Sequence, residues 1–313
     1  MTNYLLKRLG ALLPTVAVPM VLLFVMLRLA PGDPAAAIAG DSATSEEIAE
    51  VRTRLGLDAS LWEQFLTWLG RVVRLDFGSS LFADQAVSGL VFEHALVTVQ
   101  LTVLALAVAV LIGPALGIAA GTRRHGLLDR VLVFGSSIGI ALPSFWLAVL
   151  LIAVLGVVWR VFPVAGYVPF TEDPVLFLHH LALPAISLGL LEAATLFRYS
   201  RAGVLDSLHQ PFVTTARSMG LPERTVIRKY VFRAAVVPMV TVVGLTTGSL
   251  MGGAVVTESI FSIPGLGQLL LTAVQRRDYP VIEGCIFFIA VVYVLLNLVI
   301  DLLYSLLDPR IRY

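Results

Sequence analysis

An all-helical protein that crosses a membrane several times is the fold class this sequence predicts, and three observations predict it. Of its 313 residues, 58% are hydrophobic and only 14% are charged, against roughly 45–50% and 25% in soluble domains. The apolar residues gather into runs near the roughly 20 residues that a helix needs to cross about 30 Å of hydrocarbon. Those runs lack strand-period alternation, which argues against a membrane barrel. The 22 basic and 21 acidic residues nearly cancel, leaving no global footprint for nucleic acid. A single cysteine, Cys285, excludes an internal disulfide framework and a cysteine-rich metal site.

Taken in order, the first run is Leu9–Leu27, preceded by Lys7 and Arg8. It is longer than a usual secretory-signal core, and no clear small-residue cleavage site follows it, so a retained helix is expected. Ala95–Thr122 and Val131–Trp159 are uncharged throughout. Leu178–Phe197 is apolar apart from His179, His180 and Glu192. Ala234–Thr257 is uncharged, and Gly284–Ile300 continues past Asp301 into Leu302–Leu307. Six transmembrane helices are expected. The N-terminus, the link between spans two and three, the link between spans four and five, and the C-terminus together hold 14 of the 22 basic residues. By the positive-inside rule these segments, and both termini, are expected in the cytoplasm.

The one long polar stretch is Pro31–Glu93, with ten acidic residues against four arginines. Thr44 with Glu47, and Ser60 with Glu63, have the spacing of capping boxes ahead of apolar-striped segments. Gly56 suits the stop of the first. Two amphipathic helices are expected, on the membrane surface or on the outer mouth of the bundle. They serve either as a packed cap or as a docking surface for another protein.

Pro211 and Pro222 bracket a short segment, Phe212–Leu221, between spans four and five. Phe212, Ala216 and Met219 fall at i, i+4 and i+7 on one helical face, and Gly220 suits a left-handed stop. Such a helix fits a partner's groove. Its flanking arginines equally fit anionic lipid, and spacing alone leaves the two readings open. The stretch Glu258–Gly267, ESIFSIPGLG, carries a Pro264-Gly265 turn signal. The uncharged run Ser259–Gln275 is short for a crossing, so a re-entrant or outer-surface segment bordering a pathway is expected. A seventh helix or a plain outer loop are the alternatives.

Chemistry-bearing motifs are absent. The two lysines, Lys7 and Lys229, follow Leu6 and Arg228, so there is no P-loop. The five histidines show no i, i+4 metal spacing. His179-His180 could touch a metal substrate, or be a hydrated interfacial pair. Polar residues within spans are costly and often functional; here they are Gln100, Glu192, Asn297 and Asp301. Few midplane charges and no internal repeat argue against an autonomous ion-coupled carrier.

A series of motifs then carries a resemblance from end to end: LRLAPGDPA (Leu27–Ala35), LGLDASLWEQFLTWLGRVVRLDFGSSL (Leu55–Leu81), ALPSFWLA (Ala141–Ala148), FPVAGY (Phe162–Tyr167), LPAISLGL (Leu183–Leu190), TARSMGLPERTVIRKYVFRAAVVP (Thr215–Pro238), ESIFSIPGLG and DLLYSLLDPRIR (Asp301–Arg312). In that order and spacing the chain resembles the permease subunits of bacterial ABC importers for dipeptides, oligopeptides, nickel and related solutes, in particular the first of their two permease subunits. The resemblance implies a type I ABC importer permease fold of six transmembrane helices with an extracytoplasmic helical insertion after the first. Residues 1–93 would hold the first helix and that insertion, 94–307 the permease core, and 308–313 a cytoplasmic tail.

It also implies that the segment at about 212–221 is the coupling helix that docks on the ATPase, with Phe212, Thr214, Thr215, Ala216, Arg217, Met219, Gly220 and Leu221 as its contact residues. The glutamate and first alanine of the family's loop pattern are Thr214 and Thr215 here, so Ala216 and Gly220 are the clear matches. Glu192, Glu258, Phe261, Pro264, Gly265, Gly267 and Asn297 are the pathway or gate candidates. Implied partners are a second homologous permease, two cytoplasmic ATP-binding subunits, an extracytoplasmic solute-binding protein and the bilayer of the bacterial cytoplasmic membrane. The expected cargo is a short peptide; nickel, glutathione or another small solute is the alternative. The chain itself is expected to bind no cofactor, metal or nucleotide and to catalyse no reaction.

Overall fold

The computed structural model describes residues 2–29, 34–39, 43–54, 56–83 and 85–307. Thr2–Leu29 forms α1, Pro34–Ala39 α2, Ser45–Arg54 α3, Leu61–Val73 α4, Val87–Thr122 α5, Leu127–Ala141 α6 and Ser144–Leu151 α7. α7 continues as a π-helical stretch, Ile152–Val158. Pro174–Leu208 forms α8, Pro211–Ser218 α9 and Glu223–Thr225 α10, which runs through π-helical Val226–Val231 into α11, Phe232–Phe261. Leu266–Arg276 is α12 and Tyr279–Leu307 is α13. Among the described residues the only β-structure is an isolated bridge between Ser79 and Ala86. The expected tail at 308–313 and part of the Leu27–Ala35 motif lie outside the described residues.

Most of the expected spans are recovered among the described residues, and one of them is broken. Among the described residues, four helices are long and apolar enough to cross a membrane alone: α5, α8, Met239–Phe261 of α11 and Tyr279–Leu296 of α13. Pro14–Leu29 of α1 is a shorter apolar helix over the residues whose side chains are described. The expected single span Val131–Trp159 is instead broken, with α6 and the α7 segment Ser144–Val158 bent by 107°. Leu142 (ψ 132°) and Pro143 (ψ 139°) are both extended. The proline ring disfavours helical backbone for Leu142, and Pro143 has no N–H to continue the ladder. Counted as one crossing, that pair makes five among the described residues.

The chain forms two compact units, one from residues of 1–96 and 269–294, the other from 97–268 and 295 onward. In the first, Met20, Phe24 and Trp68 form a buried cluster, flanked by Phe65, Phe77 and Phe287. Arg28 lies over the Phe24 ring at 4.1 Å and pairs with Glu283 at 3.6 Å. Buried Ser80 donates to Asp278 at 2.6 Å. In the second unit, the core runs through Leu101, Leu181, Leu188, Leu250 and Phe261.

α5 meets α8 within that second unit without intervening side chains. A Cβ on Gly113 would stand 2.6 Å from the Ala193 carbonyl oxygen, and one on Gly117 2.6 Å from that of Phe197. Gly113, Gly117 and Gly121 repeat every fourth residue, the small-residue spacing that lets helix backbones approach closely in lipid.

Both expected capping boxes form. Glu47 accepts from the Thr44 N–H (2.7 Å) and Thr44 accepts from the Glu47 N–H (3.3 Å). Ser60 and Glu63 do the same for α4 at 3.0 and 3.3 Å. Gly56 follows α3 at φ +67°. Hydrogen bonds from the Ser60 hydroxyl and N–H hold the Glu63 carboxyl below its ordinary range. A carboxyl lowered in the folded state stabilises above its unfolded titration range and loses that contribution as pH falls through the lowered value. Ser60→Ala is therefore expected to speed amide exchange in the first turn of α4 about fivefold at neutral pH. The same substitution should reduce that turn's acid sensitivity, since the backbone N–H at position 60 still donates to Glu63.

Candidate functional site

The loop between α8 and α11 carries the predicted coupling residues. α8 ends at Leu208, and Gln210 is extended (ψ 145°) ahead of Pro211, the first residue of α9. A proline there gives up an N–H that no helix could have used. Val213 (0% exposed) and Ala216 (3%) face inward, packing with Val204, Val226, Val231 and Ala235. The predicted stripe of Phe212, Ala216 and Met219 is thus split. Ala216 belongs to the inner face with Val213, while Phe212 (40%) and Met219 (75%) remain exposed. Spacing located the helix but misjudged its rotation by one position, because Val213 and Phe212 are both apolar.

Gly220 ends α9 at φ +76° with open space around its missing side chain, so the backbone conformation alone requires glycine. Its N–H bonds the Arg217 carbonyl, and the Leu221 N–H bonds that of Ala216. Arg217 holds Glu223 through two hydrogen bonds, Nη2 to Oε1 at 2.6 Å and Nε to Oε2 at 3.1 Å. Those bonds hold the Arg217 guanidinium above and the Glu223 carboxyl below their ordinary values. The pair is half-exposed and contributes at most about 1 kcal/mol; what it fixes is where the chain turns from α9 into α10. Thr215 donates to the Pro211 carbonyl, and Ser218 to that of Thr214. The exposed surface of α9 therefore pairs internally bonded hydroxyls with two apolar side chains.

The ESIFSIPGLG segment folds into a buried node. Glu258, with no exposed surface, accepts from the Thr98 hydroxyl (2.6 Å) and from the N–H groups of Gly267 (2.8 Å) and Gln268 (3.2 Å). The Leu266 N–H donates to the Thr98 hydroxyl at 2.7 Å. A helix leaves its first N–H groups without internal partners, and a carboxylate there also meets the positive end of the helix dipole. Glu258 and Thr98 thus cap α12 from two other helices. Gly265 has no Cβ because the Glu258 carboxyl group occupies that space, and Gly267 packs against the Val255 backbone. Phe261 and Ile263 are buried beside the turn, whose Ser262 is left-handed.

Other predicted residues lie apart from this node. Glu192 accepts from Ser249 at 2.6 Å, joining α8 to α11. The Asn297 side chain lies outside the described residues. His179 reaches the Val161 carbonyl at 2.8 Å. Among the described residues, no group of three or more His, Cys, Asp or Glu side chains is placed to hold a metal ion. Reading the sequence alone missed a bidentate pair near the start of α6. Arg201 binds Asp129 at 2.6 and 3.0 Å, and the same carboxylate accepts from the His125 N–H.

Residues 113–313 match the family described as the binding-protein-dependent transport system inner membrane component, and residues 1–103 match the N-terminal part of such membrane components. The chain belongs to this family. It is 39% identical over 313 residues, all of both chains, to a Brucella abortus protein carrying the name peptide transport system permease protein. Identity is also 39%, again over all of both chains, to the glutathione transport system permease protein GsiC of Salmonella typhi. Among solved structures, a chain of the MetNI methionine ABC transporter superposes with a TM-score of 0.57 at 17% identity, covering 70% of this chain and 96% of that one. A chain of an amino acid ABC transporter gives 0.50 at 19%, covering 71% and 94%. These two show a shared fold. The protein is a multi-pass inner-membrane permease. Its buried node bridges the two matched regions, Thr98 falling in the N-terminal match and Glu258 in the other.

Proposed function

We propose that this permease is one of two homologous subunits of an ATP-driven importer and forms half of a path for short peptides across the bacterial cytoplasmic membrane. Six crossings are proposed: α1, α5, the broken pair α6–α7, α8, α11 and α13. The termini and α9 lie in the cytoplasm, in line with the basic loops. Residues 1–93 then form the first helix with its extracytoplasmic insertion, and 94–307 the permease core. α9 docks on one of two cytoplasmic ATP-binding subunits, and a solute-binding protein delivers cargo from outside. Glu192 and the Glu258 turn border the path or its gate.

The observation that carries this reading is α9 itself. It is a short helix, anchored through Val213 and Ala216, that leaves Phe212 and Met219 exposed to a partner. The full-length similarity to proteins named as peptide permeases supports the cargo. Glutathione, a small peptide, is the second reading, favoured by relatives of equal identity.

Met219→Asp with Phe212→Ala is expected to lower cargo-stimulated ATP turnover of the assembled transporter about tenfold or more while assembly is retained, as for loss of an interface anchor. Ala216→Asp should act differently, reducing assembly itself, since it buries a charge. Unchanged turnover with Phe212–Leu221 replaced by a glycine-serine tether would overturn the docking role. Binding of peptides and of glutathione to the cognate solute-binding protein separates the two cargoes.

A further inference from the structure

α4 carries more apolar surface than its own chain covers. At about 100° per residue, Phe65, Trp68 and Val72 lie within about 60° of one another, and this stripe packs against Phe24 of α1. Beside it lies a second apolar stripe, Trp62, Leu66, Leu69 and Val73, also within about 60°. Its members are 66%, 50%, 39% and 75% exposed. Glu63, Thr67, Gly70 and Arg74 occupy the far side. The combined apolar arc is about 160° wide, more than the roughly 100° stripe that seats one face on a core.

Two contacts fix the level at which this second stripe sits. Phe24 meets Phe65 edge-on and Trp68 at a tilt, at 5.2 and 5.1 Å between ring centroids. It lies five residues inside the end of α1, about 7 Å into an apolar helix. Phe77, just after α4, packs on Phe287 at 5.2 Å, eight residues or about 12 Å into α13. α4 is therefore level with the apolar parts of two spans.

We infer that α4 is an interfacial helix set into the leaflet at the C-terminal end of α1, with Trp62, Leu66, Leu69 and Val73 against the acyl chains. Tryptophan and leucine on one face, with Glu63 and Arg74 on the other, is the pattern of a helix lying in the membrane plane. The capping box at Ser60 starts the helix at the water-facing end, beside Arg28, which donates to Gln64 at 3.4 Å. Lipid thus completes the seating of the insertion on α1. The inference rests on the family assignment only for the presence of a bilayer; which leaflet is outer follows from the orientation proposed above.

The test is spin labelling of the assembled transporter in nanodiscs of phosphatidylcholine and phosphatidylglycerol. Cys285, which is buried, is replaced by alanine, and single cysteines are placed by Leu66→Cys, Leu69→Cys and Thr67→Cys. Labels at 66 and 69 are expected to collide with oxygen several-fold more than with a water-soluble nickel chelate, and the label at 67 the reverse. A bimane probe at 66 or 69 should be quenched by brominated acyl chains. Labels at 66 and 69 closed to both reagents would mean that a protein partner covers the stripe, and labels open to the chelate would mean water; either result overturns the inference. ATP turnover of the same samples reports the importer reading separately.

Discussion

Gly265→Ala is expected to destabilise the permease by about 2–4 kcal/mol, because the new methyl group lands inside the Glu258 carboxyl group. The backbone there is not left-handed, so conformation adds nothing and the whole cost is steric and polar. Moving the carboxylate aside frees the N–H groups of Gly267 and Gln268 and the Thr98 hydroxyl from the partner they now share. That origin makes a sharp double-mutant test. Glu258→Ala alone should cost as much or more, since it uncaps α12 and removes the acceptor that three donors share. In the Glu258→Ala background the space is empty, and Gly265→Ala should then be close to neutral. The midpoint of unfolding in mixed detergent micelles reads both effects. Full additivity of the two substitutions would show that the node does not hold the turn.

Arg201→Met should give the second large effect. It strands the Asp129 carboxylate, which is only 5% exposed, while the arginine is 26% exposed. Breaking one side of such a pair costs about 3–5 kcal/mol, and replacing both sides by uncharged groups is often far milder. Asp129→Asn in the Arg201→Met background is therefore expected to recover a large part of the lost stability. The amide oxygen can still accept from the His125 N–H. If Arg201→Met is harmless alone, the pair is not what fastens α6 to α8.

Local signals were legible in the sequence, and signals that need a distant partner were not. The capping boxes at Thr44 and Ser60, and the stops at Gly56 and Gly220, depend on residues within one turn, and each forms as expected. Pro143 shows the limit. Pro14, Pro19, Pro114 and Pro184 also lie in apolar runs, yet each stays inside a helix. The break occurs where Leu142 becomes extended too, and nothing in the sequence separates the two outcomes. The ESIFSIPGLG turn was visible, but Thr98, which completes its cap, is 160 positions from Glu258. Asp129 and Arg201 are 72 apart, so their pairing became visible only once α6 and α8 were placed side by side. For α9, two adjacent apolar residues made either rotation consistent with the period.

The glycine contact between α5 and α8 has a mechanical consequence. Side chains bend and repack under load, whereas main chains touching at Gly113 and Gly117 leave little to compress. The two helices therefore move as one stiff lever, and α8 alone spans about 50 Å from Pro174 to Leu208. If α9 docks as proposed above, force applied at its end of α8 is expected at the opposite end as tilt.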